Sequence, residues 1–326
     1  MNQKILSLKF IAFLAIAALF QVVITTKSHA MGSGEAIRSV GTSGYTQTKY
    51  PIMLAHGLFG FDKVLFIDYF YGVRSALEST GAKVYSSTVS AANSSEVRGD
   101  QLLKELKVLK ALHGYEKFNL IGHSHGSQSV RYVATMAPEL VASVTVIGGP
   151  NEGSKVADWL SGNLQDTPLL RTVIATLVNI GVSPISLISS GQLLPQNSLA
   201  ALESLTTQGT RKFNQNVSDG RPKTTCGDGE KYVNNIHYFS ATGVPKFGFT
   251  LDPSDWALNF VRLVFDKDGD GLVGRCSARW GEVIRDDFNW NHADQINHTL
   301  GIKRTNATDT LAFYRTHANR LKNLGL

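Results

Sequence analysis

The sequence has little cysteine, no long apolar run beyond its first thirty residues, and no large excess of charge. Its two cysteines, Cys226 and Cys276, fit no zinc-ligand spacing. No stretch after residue 30 is long and apolar enough to span a bilayer, and there is no internal repeat, heptad pattern or low-complexity tract. The net charge of +6 falls to +3 if residues 1–30 are removed, because Lys4, Lys9 and Lys27 go with them and no acid does. That is too little for the clustered basic face of a nucleic-acid binder.

Residues 1–30 do have a recognisable anatomy. Lys4 and Lys9 precede the apolar run Phe10 to Ile24, and "TKSHA" ends on the small residues Ser28 and Ala30. This predicts a cleaved signal peptide and a secreted chain, leaving residues 31–326 as a single α/β domain. In an oxidising compartment Cys226 and Cys276 are free to pair. A bridge between them would close a loop of about 50 residues, worth roughly 4 kcal/mol on the chain-entropy account.

Residues 31–49, rich in Gly, Ser and Thr, read as an exposed lead-in. "IMLA" at 52–55 reads as a buried strand opening into the glycine loop "HGLFGF", and "KVYSSTV" at 83–89 as another strand. Asn93 and Glu96 have capping-box form ahead of a leucine-periodic helix that Gly114 ends. "KFNLIG", "SQSVRYVATMA" and "SVTVIGG" then read as strand, helix and strand, and "KYVNNIHYFSATG" at 231–243 as a late strand. Strands alternating with helices predict a mostly parallel sheet covered on both faces. The rhythm breaks over residues 151–209. There Leu169, Leu170, Val173, Ile174, Leu177 and Val178 share one helical face, either a core helix or an apolar cap over a site. The rest of the chain reads as loops, apart from a helical C-terminus.

Gly122-His123-Ser124-His125-Gly126 lies between a strand and a helix and matches G-x-S-x-G, in which the serine is presented on a strained turn. A serine hydroxyl needs a base to become a nucleophile, and the oxyanion formed on attack needs two N–H donors. The donors expected for this architecture are the backbone N–H groups of His125 and of Leu58, in the "HGLFG" loop. Of the histidines beyond the elbow, His237 lies in a strand and His317 in a helix, so His292 in "FNWNHADQIN" is the best base. Asp252, Asp255, Asp266, Asp268 and Asp270 all remain open as its partner, with Asp270 slightly favoured at a tight turn. "DKDGDG" at 266–271 opens like an EF-hand loop, but position twelve is Ser277 where a glutamate is needed, so a solvated turn accounts better for Asp266 and Asp268.

Taken together, "YPIMLAHGLFGFD", "LIGHSHG", "IGGPNEGS", "LDPSD", "DGLVGRCS" and "NHADQIN" resemble the secreted bacterial triacylglycerol lipases of the Pseudomonas and Burkholderia type. The resemblance runs from about Tyr50 to the C-terminus. It implies an α/β-hydrolase fold with Ser124 as nucleophile, Asp270 as acid, His292 as base, and the N–H groups of Leu58 and His125 as oxyanion donors. It further implies a helical lid over residues 167–190 and a Cys226–Cys276 disulfide. A structural Ca²⁺ is implied on the carboxylates of Asp252 and Asp294 and the backbone carbonyls of His298 and Ile302. Histidine stands at 298 where glutamine is usual, and leucine at 58 where methionine is common; backbone ligands and donors tolerate both. Relatives also often need a membrane-anchored folding chaperone and leave a Gram-negative cell by way of the periplasm. The substrate implied is long-chain acylglycerol at a lipid–water interface. An esterase or thioesterase for soluble short-chain substrates is the alternative enzyme, and a non-catalytic calcium-binding module the alternative class.

Overall fold

The computed structural model describes residues 44–64, 67–165 and 194–326. The expected signal peptide and the expected lid at 167–190 lie outside these residues. Among the described residues no helix is long and apolar enough to cross a membrane.

In chain order the strands are β1 (Ile52–Ala55), β2 (Lys63–Val64), β3 (Ile67–Asp68), β4 (Val84–Ser86), β5 (Phe118–His123), β6 (Val141–Ile147), β7 (Tyr232–Val233), β8 (Ile236–Gly243) and β9 (Glu282–Phe288). The helices are α1 (Val73–Glu78), α2 (Ser95–His113), α3 (Gly126–Met136), α4 (Lys155–Gln165), α5 (Ser198–Leu205), α6 (Thr207–Asn214), α7 (Pro253–Phe265) and α8 (Thr310–Asn323). The main sheet runs β4-β1-β5-β6-β8, with the short antiparallel β7 and the parallel β9 both on the outer edge of β8. Strands β2 and β3 form a separate antiparallel pair.

Alternation along the strands builds two cores. Ile52, Leu54, Ile121 and Ile147 face α1 and α8 through Val73, Leu77, Phe313, Tyr314 and Ala318. Met53, Ala55, Leu120, Val144 and Val146 face α2 and α3 through Leu102, Leu106, Val130 and Val133. Strands buried on both faces read as continuous apolar runs, which is why β1, β5 and β6 stand out in the sequence.

The lead-in is not loose over its last residues: Thr46 is fully buried, its hydroxyl donates to the Leu77 carbonyl at 2.6 Å, and the Lys49 amide donates to the C-terminal Leu326 carbonyl at 2.7 Å. Helix α2 is capped by Ser94, whose side chain accepts from the Val97 amide, while Asn93 Oδ1 accepts from the Ser94 amide. Residues 231–243 form a hairpin, turned by Asn234 and Asn235 at φ 52° and 62°. The region after it contains helix α7 and strand β9. The Asp252 side chain accepts from the Ser254 amide and caps α7, which opens with proline.

Candidate active site

Strand β5 ends at His123 and α3 begins at Gly126, so the chain reverses within two residues. Ser124 absorbs the turn at φ 55°, a left-handed conformation unfavourable for a residue with a Cβ. The flanking glycines explain how the turn closes. A Cβ on Gly122 would stand 2.4 Å from the Gly126 carbonyl oxygen, and one on Gly126 would stand 2.2 Å from the Ala55 carbonyl oxygen. The Ser124 amide donates to the Ile147 carbonyl at 3.0 Å, tying the turn to β6. Within residues 121–131 Ser124 alone keeps some exposure.

His292 follows β9, and Asp270 follows α7 in a turn where its own Oδ1 accepts from the Leu272 and Val273 amides at 3.0 and 2.8 Å. The other carboxylate oxygen, Oδ2, accepts from His292 Nδ1 at 2.8 Å and from Gln295 Nε2 at 2.8 Å. Asp270 is fully buried and His292 nearly so, at 7% exposure. Both lie beside the elbow. A Cβ on Gly148, one residue past β6, would come within 3.1 Å of Asp270 Oδ2, and the His292 ring lies 4.7 Å from that of His123. Of the five aspartates left open by spacing, only Asp270 contacts His292 among the described residues. Asp266 and Asp268 instead pair with Lys155 and Arg275 at 3.1 Å, the surface role expected for them.

The glycine loop after β1 abuts the elbow from the other side: a Cβ on Gly57 would lie 2.8 Å from Ser124 Cβ. Leu58 follows directly, its side chain against Ala91, Ala92 and Ala201. Among the described residues the amides of Leu58 and His125 donate to no other backbone group. The His125 ring is occupied elsewhere. Ser95 Oγ donates to Gln128 Oε1, so at 3.0 Å it accepts from His125 Nε2.

Residues 50–256 match the profile of the alpha/beta hydrolase fold family. The sequence is 47% identical to a triacylglycerol lipase of Vibrio cholerae across 94% of this chain and 98% of that one. The chain belongs to the triacylglycerol lipases of the α/β-hydrolase fold. Its identity to the triacylglycerol lipase of Pseudomonas fragi is 43%, covering 86% of this chain and 98% of the relative. The solved lipase of Staphylococcus hyicus shares the fold at 19% identity, with a TM-score of 0.61 over 88% of this chain and 99% of its own.

Three groups around this lipase site have no signature in the sequence. Arg98 of α2 is fully buried with no carboxylate partner among the described residues. Its Nη2 donates to the carbonyls of His56 and Gly57, and its Nη1 to those of Ser90 and Ala91, so it staples the Leu58 loop to the body. Burial lowers its pKa to about 10, still charged at neutral pH. Tyr69 and His123 form the second group. His123 Nε2 donates to the His292 carbonyl at 3.1 Å, so its Nδ1 must accept from the Tyr69 hydroxyl at 2.8 Å. Burial holds His123 neutral, which this pattern requires. Gln295 is the third, as the second donor to the Asp270 oxygen that His292 uses.

The two carboxylates expected to hold a cation lie near one another beside the His292 loop. Asp252 and Asp294 are buried at 1% and 2% exposure. Burial and the nearby Asp252 charge push the Asp294 carboxyl up to about 7, against the amide of Asn291 that donates to it. Arg304 pairs closely with Asp255 and stands 3.9 Å from Asp294, and Lys303 also acts on Asp294, so the three acids Asp252, Asp255 and Asp294 share two cations. The His298 ring packs edge-on at 6.1 Å against Tyr69, leaving its carbonyl as the candidate donor. Carboxylate and carbonyl oxygens are the donors a hard cation takes, so the chemistry of these residues fits the group.

Cys226 and Cys276 are bonded, with Cα atoms 4.4 Å apart. The bond fastens the chain six residues past Asp270.

Proposed function

We propose that this lipase is a secreted enzyme that hydrolyses long-chain triacylglycerols through a covalent acyl-enzyme. Ser124 Oγ attacks the ester carbonyl carbon while His292 Nε2 takes its proton, and Asp270 fixes the imidazole so that Nε2 faces the serine. Negative charge building on the carbonyl oxygen is met by the amides of Leu58 and His125. As the tetrahedral species collapses, His292 returns the proton to the leaving diacylglycerol oxygen. Water, activated by the same histidine, then attacks the acyl-serine and releases the fatty acid.

The observation that carries this reading is the bond from His292 Nδ1 to the buried Asp270 carboxylate, at the C-terminal end of the strands, where the strained Ser124 also lies. A Ca²⁺ held by Asp252, Asp294 and the carbonyls of His298 and Ile302 would neutralise two buried acids and pin the loop carrying His292; that role is structural. Export by way of a Gram-negative periplasm, assisted by a dedicated folding chaperone, completes the proposal. It rests on the N-terminal thirty residues and on the resemblance of the motifs. A fluorophosphonate should label Ser124 in the wild type and nothing in Ser124→Ala, whose ester hydrolysis should fall at least about a thousandfold. A Ser124→Ala protein with full activity would overturn it.

A further inference from the structure

We infer that Phe247, Phe249, Leu251 and Trp256 form a docking surface for the triacylglycerol droplet itself. Strand β8 is parallel to β6, which is parallel to β5, so the segment leaving β8 after Gly243 starts from the same end of the sheet as Ser124. In it Phe247, Phe249 and Leu251 are 87%, 70% and 77% exposed, and Trp256, in the first turns of α7, is 72% exposed. The residues between them turn inward. Thr250 Oγ1 donates to Asp255 Oδ2 at 2.6 Å, and Asp252 and Asp255 are both buried.

This display is held in place rather than left by a slack loop. The Thr305 amide donates to the Phe249 carbonyl at 3.1 Å, Asn306 Nδ2 to the Phe247 carbonyl at 3.1 Å, and Arg304 Nη1 to the Lys246 carbonyl at 2.7 Å. The backbone is thus satisfied inward while large apolar side chains face water. Ile302, 45% exposed, extends the apolar surface along the strap that makes these bonds.

Charge and size select the occupant. Over residues 244–252 the only exposed charge is Lys246; Asp252 and Asp255 are buried, and the exposed Asp287 near Lys246 is paired with Arg285 at 2.6 Å. Aromatic side chains beside lysine, with no unpaired outward acid, suit a lipid–water boundary, the more so as released fatty acids make it anionic. Four such side chains offer about 600 Å², short of the ~800 Å² per partner of a stable protein dimer.

The ligand is taken from the lipase reading, but docking is read without turnover, so the two fail separately. Trp256 is the reporter: Trp280 and Trp290 are fully buried and Trp159 is half-buried. Full-length Ser124→Ala protein is titrated with a triolein emulsion carrying brominated triacylglycerol. The emission should shift to the blue and be quenched, and both responses should vanish in Trp256→Phe. A Phe247→Ser, Phe249→Ser, Leu251→Ser triple variant should partition at least about tenfold more weakly with an unchanged melting temperature. The inference is overturned if Trp256 stays open to acrylamide on the emulsion, or if the folded triple variant partitions like its parent. Concentration-dependent dimerisation abolished by the triple substitution would overturn it too. Should the triple variant fail to fold, the Trp256 response of the parent decides alone.

Discussion

Asp270 and His292 meet twice: through the side chains, where Nδ1 donates to Oδ2 at 2.8 Å, and through the backbone, where the His292 amide donates to the Asp270 carbonyl at 2.9 Å. The second bond fixes the two loops relative to one another whatever the side chains do. Substitution of either side chain should therefore remove activity while leaving the loops docked. Asp270→Asn is expected to lower kcat at least about a thousandfold by favouring the wrong imidazole tautomer, with a near-native circular dichroism spectrum. Retained kcat in this variant would argue against the role of Asp270.

Gln295 shares the Asp270 oxygen with His292 and so restrains the carboxylate from behind. Gln295→Ala should lower kcat roughly tenfold, about 1.4 kcal/mol, with KM nearly unchanged, because no substrate contact is lost. Steady-state kinetics on a soluble ester distinguishes this from a change in binding.

Removing Arg98 strands the buried carbonyl oxygens of His56 and Ser90, leaves those of Gly57 and Ala91 with the Gly60 and Phe59 amides, and loosens the loop that carries Leu58. Arg98→Met should cost about 3 kcal/mol of stability by denaturant unfolding. At temperatures where it stays folded, it should still lose kcat, since the loop that carries the Leu58 amide is then tied down by the Phe59–Ala91 bond without the Arg98 staple.

How much of this could be read beforehand follows from which features have local causes. The elbow was legible because two glycines and a strand-to-helix change sit within five residues, and β1, β5 and β6 because burial on both faces leaves long apolar runs. Helix α7 escaped notice because it is apolar on its outer side as well, at Trp256 and Leu263, so no clean stripe marks it. Strand β9, "EVIRDDF", is a half-exposed edge strand whose charges mask its pairing. Tyr69 and Gln295 act through partners 54 and 25 residues distant, and Arg98 joins carbonyls 7 and 8 residues away to others 41 and 42 residues away; nothing in their own neighbourhoods announces it. The choice of Asp270 among five aspartates required the same long-range information.

Acid should destabilise the fold from an unusually high pH. Burial lowers the pKa of His56 and of His317 to about 3, with Arg98 and Arg320 adding to the effect, and holds His123 and His125 well below 6.5. Groups whose folded pKa is depressed give stability that is present above the unfolded value near 6.5 and lost as pH falls toward the folded value. Between pH 6.5 and 5.5 each of the four should remove on the order of 1 kcal/mol. Urea midpoints across that range, and proton uptake on unfolding, check this; a flat profile would contradict it.

Chelation bears on the proposed Ca²⁺. If the ion sits between Asp252 and Asp294, EDTA should lower the melting temperature and leave the initial rate of intact enzyme assayed cold much less affected. Calcium at about 100 times its dissociation constant should restore about 2.7 kcal/mol. Asp252→Asn should melt low and no longer respond to calcium. Equal melting temperatures with and without chelator would remove the ion from the account.

The most direct test of the central claim compares hydrolysis of emulsified long-chain triacylglycerol with hydrolysis of a dissolved short-chain ester, by wild type and Ser124→Ala side by side. The account predicts that only the wild type acts and that it prefers the emulsion. A wild type that prefers the dissolved ester would keep the site but contradict the substrate, and a Ser124→Ala protein that hydrolyses either as fast as wild type would contradict the site itself.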